Sequence, residues 1–203
     1  MTVADLLLRA TIAAYVTGVA AALVTSRPIG RFLGAAGAAL GSGAALALGG
    51  AILAGARAPQ LIVSSFAFTP LIFRPDALGA FFLVTVGIVG VAAGVYGFGY
   101  SGGLHGGSVK AMGAGINVLL LTLALQVMAD NPLTFLFVWE AMSLAACLLI
   151  LAEPDQRGAV SAANWYLGVM HVGFAALVAM FFLLSGGQLV ASFADLRAVS
   201  LPG

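Results

Sequence analysis

Charge is what this sequence has least of. Eight Lys and Arg, only one of them a lysine, and seven Asp and Glu leave 7% of the 203 residues charged. Soluble domains carry about 25%, so a water-facing fold would lack the polar surface to cover itself. The scarcity excludes a soluble globular class, and the net charge of +1 excludes nucleic acid or any strongly acidic partner. Cysteine is almost missing as well. The single Cys147 permits no intrachain disulfide and, inside an apolar run, reads as a small buried hydrophobe. No cluster of Cys, His, Asp or Glu has metal-ligand spacing, and no nucleophile stands beside a base. The glycines of "GYSGGLHGGS" (99–108) lack the strand-to-helix setting of a phosphate cradle. Soluble-type catalysis has no candidate, and no cofactor is expected. A cleaved leader is not expected either, because the opening carries Asp5 beside Arg9 rather than a basic stretch and a small-residue cleavage site. Asp5 and Arg9 stand four apart, a spacing that can pair them on a helix.

What fills the chain is hydrocarbon. It is 62% hydrophobic, with a mean hydropathy of +1.13. Segments 6–26, 30–56, 77–99, 111–130, 132–151 and 159–184 each approach the ~20 apolar residues that a spanning helix needs. The first requires Arg9 to snorkel to the interface. The expectation is an all-α integral membrane protein of about six transmembrane helices, forming one transmembrane domain over 1–203. "TSRPIGR" (25–31), "ARAPQ" (56–60), "DNP" (130–132) and "EPDQRG" (153–158) punctuate the spans. Between the second and third spans, "IVSSFAFTPLIF" (62–73) is rich in β-branched and aromatic residues and reads as a short extended segment or hairpin. "GRFLG" (30–34), "GAALG" (37–41) and "GVAAG" (90–94) are small-xxx-small patterns that let backbones approach closely in lipid. One membrane face collects Arg27, Arg31, Lys110 and Arg157; the other collects Arg57, Arg74 and Arg197, with Arg9 near it. The positive-inside rule leans to the first group as cytoplasmic.

Inside this apolar background a few polar groups stand out. In "DNPLTFLFVWEAMSLAACLLIL" (130–151), Glu140 falls near the midplane at 1.5 Å per residue. His171 falls near the middle of the next span by the same count, and the short turn between the two makes them antiparallel neighbours. An acid at a membrane helix centre costs about 2.5–3.5 kcal/mol on the insertion scale and marks ion or proton paths by default. A carboxyl removed from water titrates nearer neutrality, where it can both take up and release a proton. The alternative is a permanently protonated side chain gluing two helices together. His171 is a relay or a packing donor. Gln126, Asn117, Ser143 and Asn164 are possible members of a polar path with Glu140. Asp76, after "RP", sits at the start of the third helix, where a carboxylate suits the helix dipole. Lys110 reads as an interfacial anchor and His105 as a solvated loop residue.

"ADNPLTFLFVWEAMSLAACLLIL", with "FRPDALGAFFLVTVGIVGVAAGVYGFGY" before it and "AANWYLGVMHVGFAAL" and "FADLR" after it, resembles the antiporter-like subunit family. That family includes the proton-pumping membrane subunits of respiratory complex I, those of energy-conserving hydrogenases and formate hydrogenlyase, and the Mrp cation/proton antiporters. "N-x-L-x-F-x-x-x-W-E-x-M-S-L" is its specific part, and "YLxxxHxG" is most similar to the hydrogenase-4 component B and formate hydrogenlyase branch. The resemblance implies Glu140 as a proton-relay acid, His171 as a neighbouring relay and Asp76 as a structural residue. It implies a non-catalytic subunit taking part in proton translocation coupled to electron transfer. Its partners would be other membrane and peripheral subunits, in the cytoplasmic (inner) membrane as a multi-pass protein. A Mrp-like antiporter, an inorganic-carbon-uptake subunit and a non-conducting scaffold are the alternatives. The likeness covers only the N-terminal portion of such subunits. In them the glutamate works against a lysine on a later, discontinuous helix, so a truncated or split subunit is expected.

Overall fold

The computed structural model describes residues 2–64, 69–100, 108–152 and 158–198. Six long helices run up and down: α1 (Val3–Val24), α2 (Arg27–Leu53), α3 (Ala77–Tyr100), α4 (Ser108–Gln126), α5 (Pro132–Leu151) and α6 (Ala159–Leu184). Each is long and apolar enough to cross a bilayer. The chain is an all-α, multi-pass membrane protein, and the spans fall where the apolar runs place them. Two short strands, β1 (Leu61–Val63) and β2 (Leu71–Phe73), pair antiparallel with Leu61 opposite Phe73. This is the hairpin expected from the β-branched and aromatic residues there. A final helix, α7 (Phe193–Ala198), was not legible in the periodicity because it is a turn and a half long.

Local chemistry sets the helix ends. Thr2 caps α1 reciprocally with Asp5, whose carboxylate accepts the Thr2 N–H at 2.7 Å. That cap corrects the expected Asp5–Arg9 pair: no such ion pair occurs among the described residues, and Arg9 is exposed. α2 ends where Gly55 takes φ +96°, a left-handed conformation that costs glycine little. Asn131 caps α5 by accepting the Thr134 N–H at 2.8 Å, and Pro132 fills the first helical position, where its missing N–H is harmless. Asp76 accepts the Gly79 N–H at 2.8 Å, so it does cap the third helix. Lys110 donates to the Leu23 carbonyl at 2.8 Å, tying the start of α4 to the end of α1. His105 and Arg157 lie outside the described residues.

α2 is the hub of the bundle and packs on α1, α3 and α4. The small-xxx-small patterns explain how. A Cβ on Gly37 would stand 2.6 Å from the Gly18 Cα, one on Gly41 2.8 Å from the Tyr15 ring, and one on Gly94 2.7 Å from the Ala39 nitrogen. All three contacts, two at the α1–α2 seam and one at the α2–α3 seam, lie within this chain. Beside them Tyr15 and Ser42, both buried, share a hydrogen bond of 2.9 Å between α1 and α2. At the other end of the sequence α6 is almost bare, with α5 its one extended neighbour.

The hairpin closes one end of the bundle. Arg74 N–H donates to the Met128 carbonyl at 2.7 Å and Asp130 N–H to the Ile72 carbonyl at 3.0 Å, so the α4–α5 link lies antiparallel beside β2 at a single β-bridge, Ala129 opposite Phe73. Six spans place the hairpin, Thr2 and α7 on one membrane side and Lys110 on the other. Single cysteines at Thr2, Ser192 and Lys110 in a Cys147→Ser background test this with an impermeant thiol reagent. Thr2 and Ser192 are expected to label from one side and Lys110 only from the other. Labelling of Thr2 and Ser192 from opposite faces would mean a miscounted span.

Candidate functional site

At the α5–α6 seam, His171 Nε2 lies 3.2 Å from Glu140 Oε1. Glu140 is eight residues into α5, and His171 is near the centre of α6, so the pair lies at mid-depth as the residue count anticipates. The other ring nitrogen fixes the chemistry. His171 Nδ1 lies 2.8 Å from the Leu167 carbonyl, which can only accept, so Nδ1 carries a hydrogen. In the neutral ring Nε2 is then a lone pair aimed at the carboxyl. One proton between Oε1 and Nε2 satisfies both partners, either as carboxylic acid and imidazole or as carboxylate and imidazolium. Passing it across requires no movement of heavy atoms.

The pair faces outwards. The Glu140 side chain is 31% exposed and that of His171 54%, on the side of α6 that none of the described residues covers. Ser143 is buried on the inner side of α5, and its hydroxyl donates to the Glu140 backbone carbonyl at 2.9 Å rather than to the carboxylate. The helical stripe around Glu140 therefore spans two environments: Ser143 and Cys147 are buried, whereas Phe137 and Leu144, at the same helical spacing, are exposed.

The remaining polar residues do not converge on the pair. Asn117 is fully buried between α1, α2 and α4, and its amide nitrogen donates to the Gly34 and Gly113 carbonyls at 2.8 Å each. Asn164 lies on the exposed surface of α6. Gln126 faces the hairpin end, where it lines a cavity of about 960 Å³. No hydrogen bond joins Gln126, Asn117 or Asn164 to Glu140 among the described residues.

Two ion pairs at that cavity went unread in the sequence. Arg74 grips Asp130 in a fork, its Nη2 3.1 Å from both carboxylate oxygens. Arg197 on α7 reaches Asp76 at 3.2 Å. Burial opposes ionisation of Asp76, but the Gly79 N–H and the Arg197 guanidinium outweigh it and hold its carboxyl below the usual range. Opposite charges at span ends, "RPD" against "DNP", were the available signal.

An up-down apolar bundle with a carboxylate–imidazole pair near the middle of two spans defines a multi-pass membrane protein with titratable side chains inside its spanning helices. Comparison with known sequences gives it a setting. The chain is 28% identical over 139 residues to hydrogenase-4 component B of Escherichia coli (strain K12), covering 68% of this chain and 20% of that protein. It is 32% identical over 124 residues to uncharacterized proteins of Mycobacterium tuberculosis strains CDC 1551 / Oshkosh and ATCC 25618 / H37Rv, covering 61% of this chain and 19% of each. The chain thus spans about a fifth of the length of the curated relatives it matches. No family model matches it.

Proposed function

We propose that this chain forms part of a proton-translocating membrane subunit of an energy-conserving hydrogenase or a related redox complex. The inner, cytoplasmic membrane would be its location, and electron transfer would take place on other subunits. The observation that carries the reading is the Glu140–His171 couple at mid-depth in a bundle similar to hydrogenase-4 component B. Glu140 is the proton carrier in this reading and His171 its immediate exchange partner. Asp76 is structural. Ser143 supports the local backbone, and Gln126, Asn117 and Asn164 contribute to the path only through intervening water.

The couple's outward face supports membership in a larger assembly. Charged groups left against hydrocarbon cost about 2.5–3.5 kcal/mol each on the insertion scale, and a helix covering α6 would remove that cost. The test is Glu140→Gln in the assembled complex. Glutamine keeps the shape and the hydrogen bonding but cannot titrate. Proton uptake into inverted vesicles is expected to fall by about tenfold or more, the scale of losing a group that acts directly in proton transfer. Complex yield on a native gel should be unchanged. Full pumping by the variant would sink the relay assignment.

A further inference from the structure

We propose that the cavity at the hairpin end is a binding site for one zwitterionic phospholipid with a primary ammonium headgroup. It lies apart from the Glu140–His171 couple and goes beyond the proposed function.

The site is built from the ends of α3, α4, α5 and α6, from α7 and from the links that precede α3 and α5. Its volume of about 960 Å³ reaches the top of the roughly 300–1,000 Å³ range of small-molecule sites. Four charged side chains line it in two opposite pairs, Arg74 with Asp130 and Arg197 with Asp76. The cavity is therefore neutral overall but carries two cations and two anions. A purely anionic headgroup would meet both carboxylates, and a quaternary ammonium would bring no N–H to them. A phosphate flanked by a primary ammonium matches all four, with guanidinium donating to phosphate oxygen and ammonium donating to carboxylate.

Below this ring lies Gln126, only 8% exposed, with neither amide atom hydrogen-bonded. A buried unpaired amide is costly, and it faces the cavity. Ester carbonyls of a glycerol backbone, one layer below the phosphate, would accept from its Nε2. The tail has its own way out. α3 and α6 share no extended packing, and the gap between them is edged by Leu78 and Phe82 on one side and Phe181 and Leu184 on the other. Leu78, Phe82 and Leu184 are exposed to hydrocarbon. Phe135, Phe181 and Phe193 pack together as an apolar wall behind them, at 5.5–6.4 Å between ring centroids. Charged groups, an unpaired amide and apolar side chains open to the outside of the bundle thus line one cavity, the three chemistries of a phospholipid.

The chain, purified in mild detergent and delipidated, is titrated with phosphatidylethanolamine, phosphatidylcholine or phosphatidylglycerol, and bound lipid is read by native mass spectrometry. One phosphatidylethanolamine per chain is expected, favoured over each of the others by about tenfold. Asp130→Asn should abolish that preference, Gln126→Leu and Arg197→Ala should each lower the occupancy of all three lipids, and Val89→Leu, on the lipid-facing side of α3, should change neither. Arg197 has a side chain 63% exposed on the short α7, so its variant keeps the test informative if Gln126→Leu fails to fold. Phosphatidylglycerol bound equally well, a retained quinone in place of phospholipid, no retained lipid, or an unchanged lipid occupancy in Arg197→Ala would each overturn the assignment.

Discussion

Gly37→Leu is expected to prevent the bundle from forming. Any Cβ at this position would lie 2.6 Å from the Gly18 Cα and 2.9 Å from the Ala14 carbonyl oxygen, both backbone atoms of α1. A flexible neighbour could turn aside; a helix backbone can only move as a whole. Separating α1 from α2 also disturbs Asn117, whose amide nitrogen reaches the Gly34 carbonyl from α4 across the same seam. Overpacking a tight interior costs about 1–3 kcal/mol even where side chains can adjust, and here the contacts along a full span are forfeited. By contrast, an interhelical hydrogen bond in a membrane is worth about 0.6 kcal/mol on average. Tyr15→Phe, which removes the 2.9 Å bond to Ser42 and leaves the ring in place against Gly41, should therefore express and purify almost normally. Monodisperse yield in detergent separates the two variants. Equal yields would show that close backbone approach is not what holds α1 to α2.

That contrast also explains what could be read from the sequence. The spans were legible because lipid demands an unbroken apolar run, and the hairpin because residues 62–73 break it with β-branched and aromatic residues. The depth of Glu140 and His171 followed from counting residues, and their adjacency from the short connection between α5 and α6. Which faces meet was much harder to read. In water a helix announces its inner face by amphipathicity, but lipid is as apolar as the core, so inner and outer faces of these helices look alike. Asn117 and Asn164 illustrate the difficulty: both are amides on apolar helices, yet one is fully buried between α1, α2 and α4 and the other lies on the outside of α6. The informative signal was the glycines. Gly18, Gly34 and Gly37 mark the side on which Asn117 is enclosed. Asn164 has no such partners.

The 203-residue chain reconstituted alone in liposomes is expected to conduct no protons above its Glu140→Gln control. A carrier that cycles its proton needs a wetted route to each side and a second charge whose movement biases release. Among the described residues the Glu140–His171 couple supplies a holding site but neither of the other requirements. The inner side of α5 is sealed by buried Ser143, Ala145 and Cys147. Asn117, fully buried between α1, α2 and α4, has its amide nitrogen bound to two helix carbonyls. The chain's one lysine, Lys110, is fixed at a span end on the Leu23 carbonyl and cannot serve as a mid-membrane counter-charge. What remains open is the α6 side, where His171 is 54% exposed, and a covering helix with a titratable cation at that depth would complete the path. A pH-sensitive dye trapped in the liposomes, with a potassium gradient and valinomycin to drive uptake, reads the flux. A Glu140-dependent flux from the purified chain would refute the need for a covering helix and mean that the couple conducts without one.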